Sequence, residues 1–201
     1  ELPEIIHSDA DEPRDLTLPV TANGRLDAKG DIDEYFVTLS AGAQIVCAAS
    51  TQAIRSPVDP MLRLLDHDGN ILATSGPHRS ADALLVFRAA KEGRYRLQVF
   101  DFQMAGSARH IYRLTVTDGA WLDYAVPHGL VRDLETVVKV KGWNLPSAQE
   151  GFVELKIPPQ PVGQFHLTLP GSSNRLTLPV GENPEVTEIE PNNIADNAME
   201  L

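Results

Sequence analysis

Strict alternation of apolar and polar residues between Gly24 and Asp118 constrains this chain more than any other feature. In EYFVTL, Tyr35, Val37 and Leu39 fall on one side, Phe36 and Thr38 on the other. RYRLQVF sets Tyr95, Leu97 and Val99 against Arg94, Arg96 and Gln98. IYRLTV repeats the pattern with Tyr112, Leu114 and Val116. Successive side chains of a strand point to opposite faces, so a period of two reads as half-buried antiparallel strands. Helical spacing is rarely sustained. Asn23-Gly24, Gly30-Asp31, Asp68-Gly69 and Glu92-Gly93 supply turns at short intervals. Short strands at such spacing predict an all-β sandwich.

The texture changes near Thr117 to Gly119. Beyond it come a Pro-x-Gly turn, an alternating strand from Thr136 to Val140, and the strand-like pieces GFVELKI, QFHLTL and NRLTLPV. The predicted organisation is an acidic leader over 1–18, a first sandwich over 19–118, a second and smaller one over 119–181, and a segment 182–201 that begins a next repeat. The last expectation rests on an echo. LPEIIHSDADE opens at Leu2 and NPEVTEIEPNN at Asn183, and aligning Pro3-Glu4 with Pro184-Glu185 sets His7 against Glu188. Because the chain starts at Glu1 rather than Met, it reads as a piece of a longer protein, with any targeting signal upstream.

Hydrophobic residues make up 42% of the 201 residues, enough for real cores. The formal net charge of -11 repels a phosphate backbone, which argues against a nucleic-acid partner. No apolar run reaches the roughly 20 residues of a membrane span. Cys47 is the single cysteine, so no intramolecular disulfide forms, and QIVCAAS reads as a buried strand.

The pieces NGRLD, GDIDEYF, Asp59-Pro60 before MLRLLDHDGN, EGRYRLQV and YRLTV occur in an order that resembles the bacterial pre-peptidase C-terminal (PPC) domain. The tail EIEPNN is similar to leaders of such domains in tandem proteins. The resemblance implies a jelly-roll-like β-sandwich, a secreted bacterial protein, and a place at the cell surface, in the periplasm or outside the cell. The family includes collagen-binding domains with an aromatic-rich sheet face. Here Tyr35, Tyr95 and Tyr112 fall on the inward parity instead. The second half, through Pro127, Gly129, ETVVKVKG and Asn144-Leu145, is similar to an Ig-like domain of the TIG/IPT class.

The same resemblance implies a calcium site closed by leader acids and the Gly-Asp-x-Asp loop. Carried over, its ligands are Asp9, Asp11, Glu12, Asp31 and Asp33, with Asp27 nearby. Such oxygen donors suit Ca²⁺, and the ion would tie the leader to the sandwich. His7 departs from the pattern, because neutral imidazole is a poor calcium ligand.

Other constellations read as structure. Asp66-His67-Asp68-Gly69-Asn70 looks like the start of an EF-hand loop, but Pro77 stands at the twelfth position; a β-hairpin fits better. The six histidines form no HExxH pair, and no serine lies in a GxSxG elbow, which leaves a metallohydrolase as the weakest reading. Trp121 and Trp143 are expected at a domain junction and in a core. Arg63, Arg94, Arg96 and Arg113 fall on solvent-facing parities, with Phe100 and Phe102 near a strand end. They are the candidate ligand-binding residues for an extracellular polymer or a protein. The expectation is a non-catalytic accessory module whose partners include other domains of its parent protein. A carbohydrate- or protein-binding sheet face is the alternative.

Overall fold

A computed structural model describes residues 2–6, 13–146 and 151–183. The described residues contain strands and turns but no helix. They fall into two compact units, Glu1–Gly119 and Ala120–Leu201.

In the first unit the alternating segments form ten strands: β1 (Glu4–Ile6), β2 (Arg14–Leu16), β3 (Val20–Arg25), β4 (Ile32–Leu39), β5 (Gln44–Ser50), β6 (Pro60–Leu65), β7 (Ile71–Ser75), β8 (Ala83–Arg88), β9 (Gly93–Asp101) and β10 (Ile111–Thr117). They make two five-stranded sheets, ordered β1-β3-β10-β5-β8 and β2-β4-β9-β6-β7. The inward parities predicted from sequence are the buried ones. Tyr35, Val37, Leu97 and Val99 of one sheet meet Ala22, Cys47, Leu114 and Val116 of the other in one core. Each Val or Leu side chain among them contributes about 1.5–3 kcal/mol when fully buried. This is an all-β sandwich.

Two short strands close the edges. β1 runs parallel to β3, with Glu4 beside Thr21, and β2 runs parallel to β4, with Asp15 beside Phe36. Thr21 also stands opposite Thr115 of β10, so Glu4, Thr21 and Thr115 form one row across the first sheet.

Asp66 shows why the EF-hand resemblance is a hairpin. Its carboxylate accepts from the amides of Asp68 (3.0 Å) and Asn70 (2.8 Å). Gly69 takes φ 85°, and β6 and β7 pair antiparallel on either side.

The second unit holds β11 (Trp121–Val126), β12 (Leu130–Val131), β13 (Thr136–Trp143), β14 (Phe152–Ile157), β15 (Gly163–Leu167) and β16 (Leu176–Gly181). They form the three-stranded sheets β11-β13-β14 and β12-β16-β15 around Leu122, Leu130, Val138, Val140, Leu178 and Val180.

Candidate binding face

Antiparallel pairing of β4, β9 and β6 decides which side chains share the outer face of the second sheet. Phe36 stands opposite Arg96, Glu34 opposite Gln98, and Ile32 opposite Phe100. On the other flank of β9, Arg63 faces Gln98 and Met61 faces Phe100. A row therefore crosses three strands: Arg63, Gln98, Glu34. The Arg63 guanidinium donates to the Gln98 carbonyl at 3.4 Å, and the Gln98 amide donates to Glu34 at 2.6 Å. Arg96 meets the same carboxylate at 3.5 Å.

Aromatic rings lie beneath these charges. The Arg94 guanidinium sits 3.5 Å from the centroid of Phe36 and makes two 2.9 Å bonds to Asp15. The Arg63 guanidinium lies 4.6 Å from the centroid of Phe100, which is only 7% exposed. Each contact of this kind is worth about 0.5–1 kcal/mol at an exposed site. The Nε of Arg63 is buried and has no hydrogen-bond partner among the described residues. Arg94 pairs with Asp15 and Arg96 with Glu34, whereas Arg63 meets an amide and a ring rather than a carboxylate. The face is a cationic, aromatic-floored strip held in register by a rigid sheet.

Arg63, Arg94 and Arg96 are thus brought together. Arg113 is not: it lies on β10 of the other sheet, bonded to Glu4 of β1 and to Asn23 of β3 at 3.4 Å. Parity alone could not separate them, because it does not say which sheet a strand joins. Phe36 was visible on the outward parity but not as the partner of Arg94. Gln98, expected on a wet face, is 9% exposed, because Arg63 and Glu34 close over it.

The sequence reads Asp31 and Asp33 as part of one loop. The strand β4 instead begins at Ile32, so Asp33 shares the inward parity of Tyr35. It is 3% exposed and its carboxylate accepts a hydrogen bond from Tyr112, whose hydroxyl lies 2.7 Å from that of Tyr35. Burial pushes both phenols well above their usual range. The Asp31 carboxylate accepts from the Asp27 amide at 2.6 Å, and Asp27 accepts from Arg25 at 2.9 Å. Asp9, Asp11 and Glu12, and with them His7 and Glu188, lie outside the described residues. Among the described residues no three His, Cys, Asp or Glu side chains converge as a metal site would require. Ser107 and His110 are bonded at 2.8 Å within one turn.

In the second unit, Trp121 stands directly opposite Trp143, and Tyr124 opposite Lys141, which in turn faces Phe152. The Lys141 ammonium lies 4.6 Å from the Phe152 centroid, and Tyr124 meets that ring edge-on at 6.3 Å. Trp143 shares the parity of exposed Lys139, not that of Val138 and Val140, so it is not a core residue. The alternation in KVKGW carried this signal, but the Leu122/Tyr124 register shift hid Tyr124. An open groove of about 500 Å³ in the first unit is lined by Asp15, Leu16, Thr38, Ser40 and Asp118, among others.

No family model matches the sequence, and no curated protein matches it significantly. Among solved structures, the chain is similar to the pre-peptidase C-terminal domain of a collagenase from Bacillus anthracis, at 20% identity and a TM-score of 0.44, over 55% of this chain and 100% of that one. It is also similar to PliG, a periplasmic inhibitor of g-type lysozyme from Aeromonas hydrophila, at 12% identity and a TM-score of 0.39, over 57% and 97%. A third is CorA, a surface-associated copper-binding protein of Methylomicrobium album BG8, at 9% identity and a TM-score of 0.37, over 58% and 98%.

Proposed function

We propose that this chain is a non-catalytic accessory module of a larger secreted or surface bacterial protein, serving binding or spacing, and that the Arg63–Arg94–Arg96 face is its binding surface. The observation that carries the binding role is the register of β9 against β4 and β6. It sets Arg94 over Phe36 and Arg63 over Phe100, with Arg96 between them on the same face. Such a strip fits an extended polymer or protein segment carrying carboxylates, because planar guanidinium groups recognise carboxylates through two parallel hydrogen bonds. Binding of acidic polysaccharides and acidic peptides is measured with the intact chain and with Arg63→Ala/Arg96→Ala. Salt-sensitive binding that the double variant loses supports the face; equal binding by both removes it.

A second reading has its own observation. Trp121, Trp143, Tyr124 and Phe152 on one sheet of the second unit suit a carbohydrate platform. Retention on neutral polysaccharide that Tyr124→Ala abolishes would favour it.

Calcium belongs to the proposal with Asp9, Asp11, Glu12 and Asp31 as oxygen donors, while Asp33 serves the core through Tyr112. An ion that binds only the folded state adds roughly 2.7 kcal/mol at 100 times its Kd. A thermal melt with calcium and again with chelator tests this component, and identical midpoints discard it.

A further inference from the structure

The edge of β3 is a slot with a readable chemical specification. The carbonyl of Pro3 accepts from the Thr21 amide at 2.8 Å. The Glu4 carboxylate accepts from Arg113 and, at 3.3 Å, from Asn23. Ile5 turns inward and packs against the core, while Ile6 is 73% exposed. The occupant is therefore read as proline, a carboxylate, then a β-branched apolar residue, in extended conformation. Backbone bonds supply adhesion and the alternate side chains supply selection, as in strand addition generally.

Pro-Glu occurs twice in the chain, and both times a β-branched apolar residue follows: Pro3-Glu4-Ile5 and Pro184-Glu185-Val186. We propose that the β3 edge is an exchangeable strand slot, and that it receives Pro184-Glu185-Val186 of a second copy of this chain in place of the resident Pro3-Glu4-Ile5. Residues 184–201 lie outside the described residues, so the proposal rests on the slot and on the matching sequence. Charge complementarity fits this occupant, because Glu185 would bring to Arg113 the same carboxylate that Glu4 now supplies. Displacement is cheap, because the resident strand is three residues long and lies on an edge. In a protein with several linked modules, the effective concentration of a neighbour's strand offsets the weakness of so short a contact.

The test uses the full chain with Glu4→Lys, which turns the resident strand against Arg113 at a half-exposed position and leaves the core intact. Sedimentation is compared with that of Glu4→Lys/Glu185→Lys, with circular dichroism to check that both remain folded. The expected result is concentration-dependent association of the single variant, weakened at least about tenfold in the double variant, the loss of roughly one charge-assisted bond. A labelled peptide spanning residues 181–190 provides the second measurement. It should bind Glu4→Lys, and bind Glu4→Lys/Arg113→Ala at least about tenfold more weakly, where the charge at 185 no longer matters. A Glu4→Lys chain that stays monomeric, or association and peptide binding indifferent to the charge at 185 and 113, would overturn the proposal.

Discussion

Tyr112 and Asp33 come from opposite sheets, and the phenol of the first donates its hydrogen bond to the carboxylate of the second inside the sandwich. Tyr35 joins them at 2.7 Å from the Tyr112 hydroxyl. A buried polar cluster of this kind fixes the two sheets in one relative register, because each group loses its partner if either sheet slides.

Tyr112→Phe keeps the ring and removes the donor. A buried carboxylate then loses a hydrogen bond, at a cost of about 1.5–3 kcal/mol. Asp33→Asn keeps an acceptor and should cost less. Urea denaturation of the three proteins checks the order.

Tyr35 and Tyr112 also predict alkaline behaviour. Burial is the main cause of their raised values, so both phenols stay protonated in the folded chain when an unfolded one, near 10, ionises. The sign follows: their stabilising share is complete below about pH 10 and is lost as pH rises beyond it. Of the four tyrosines, these two should give tyrosinate absorbance at 295 nm only together with unfolding. Their titration in a chain that keeps its native circular dichroism would refute this.

Cys47 is fully buried, and burial pushes its thiol up to about 12. Thiolate is the reactive form. Ellman's reagent should therefore leave the native chain unmodified and react at the rate of unfolding. Prompt labelling without denaturant would place Cys47 elsewhere.

Gly106 gives a steric prediction. A Cβ there would collide with the backbone of Ala28, which has no flexible end to move aside. Gly106→Ala should lower stability by about 2 kcal/mol or more, whereas Gly42→Ala meets no neighbouring atom and is strained only by its φ of 83°. Paired thermal melts compare them.

Glu4 offers an acid-side readout. Its bond with Arg113 holds its carboxyl below the usual range. The contact is thus complete above the ordinary Glu value near 4.3 and is lost as pH falls below it. An NMR titration should show the depressed value relax in Arg113→Gln.

The inward parities were legible because period two leaves little choice once one face is apolar: Tyr35, Leu97 and Leu114 are buried as the alternation requires. The inward place of Asp33 was hidden because it lies beside a Gly-Asp turn. Its parity with Tyr35 held the answer, but the hydrogen bond from Tyr112, 79 residues away, that helps an inward carboxylate cannot be read locally. The candidate face was half legible. Outward arginines can be counted in a sequence, but sheet order cannot, so Arg113 was grouped with Arg63, Arg94 and Arg96 although another sheet holds it. Long-range pairing, such as Arg94 on Phe36, leaves no local trace.

Glu4, Thr21 and Thr115 share one row of the first sheet, and β10 runs on from there to Thr117. Two inter-strand spacings, about 10 Å, thus separate the strand that brings the chain into this sheet from the one that carries it out. Entry and exit share one end of the sheet. In a longer polypeptide, the first unit by itself therefore adds little to the distance the chain spans, although it holds well over a hundred residues.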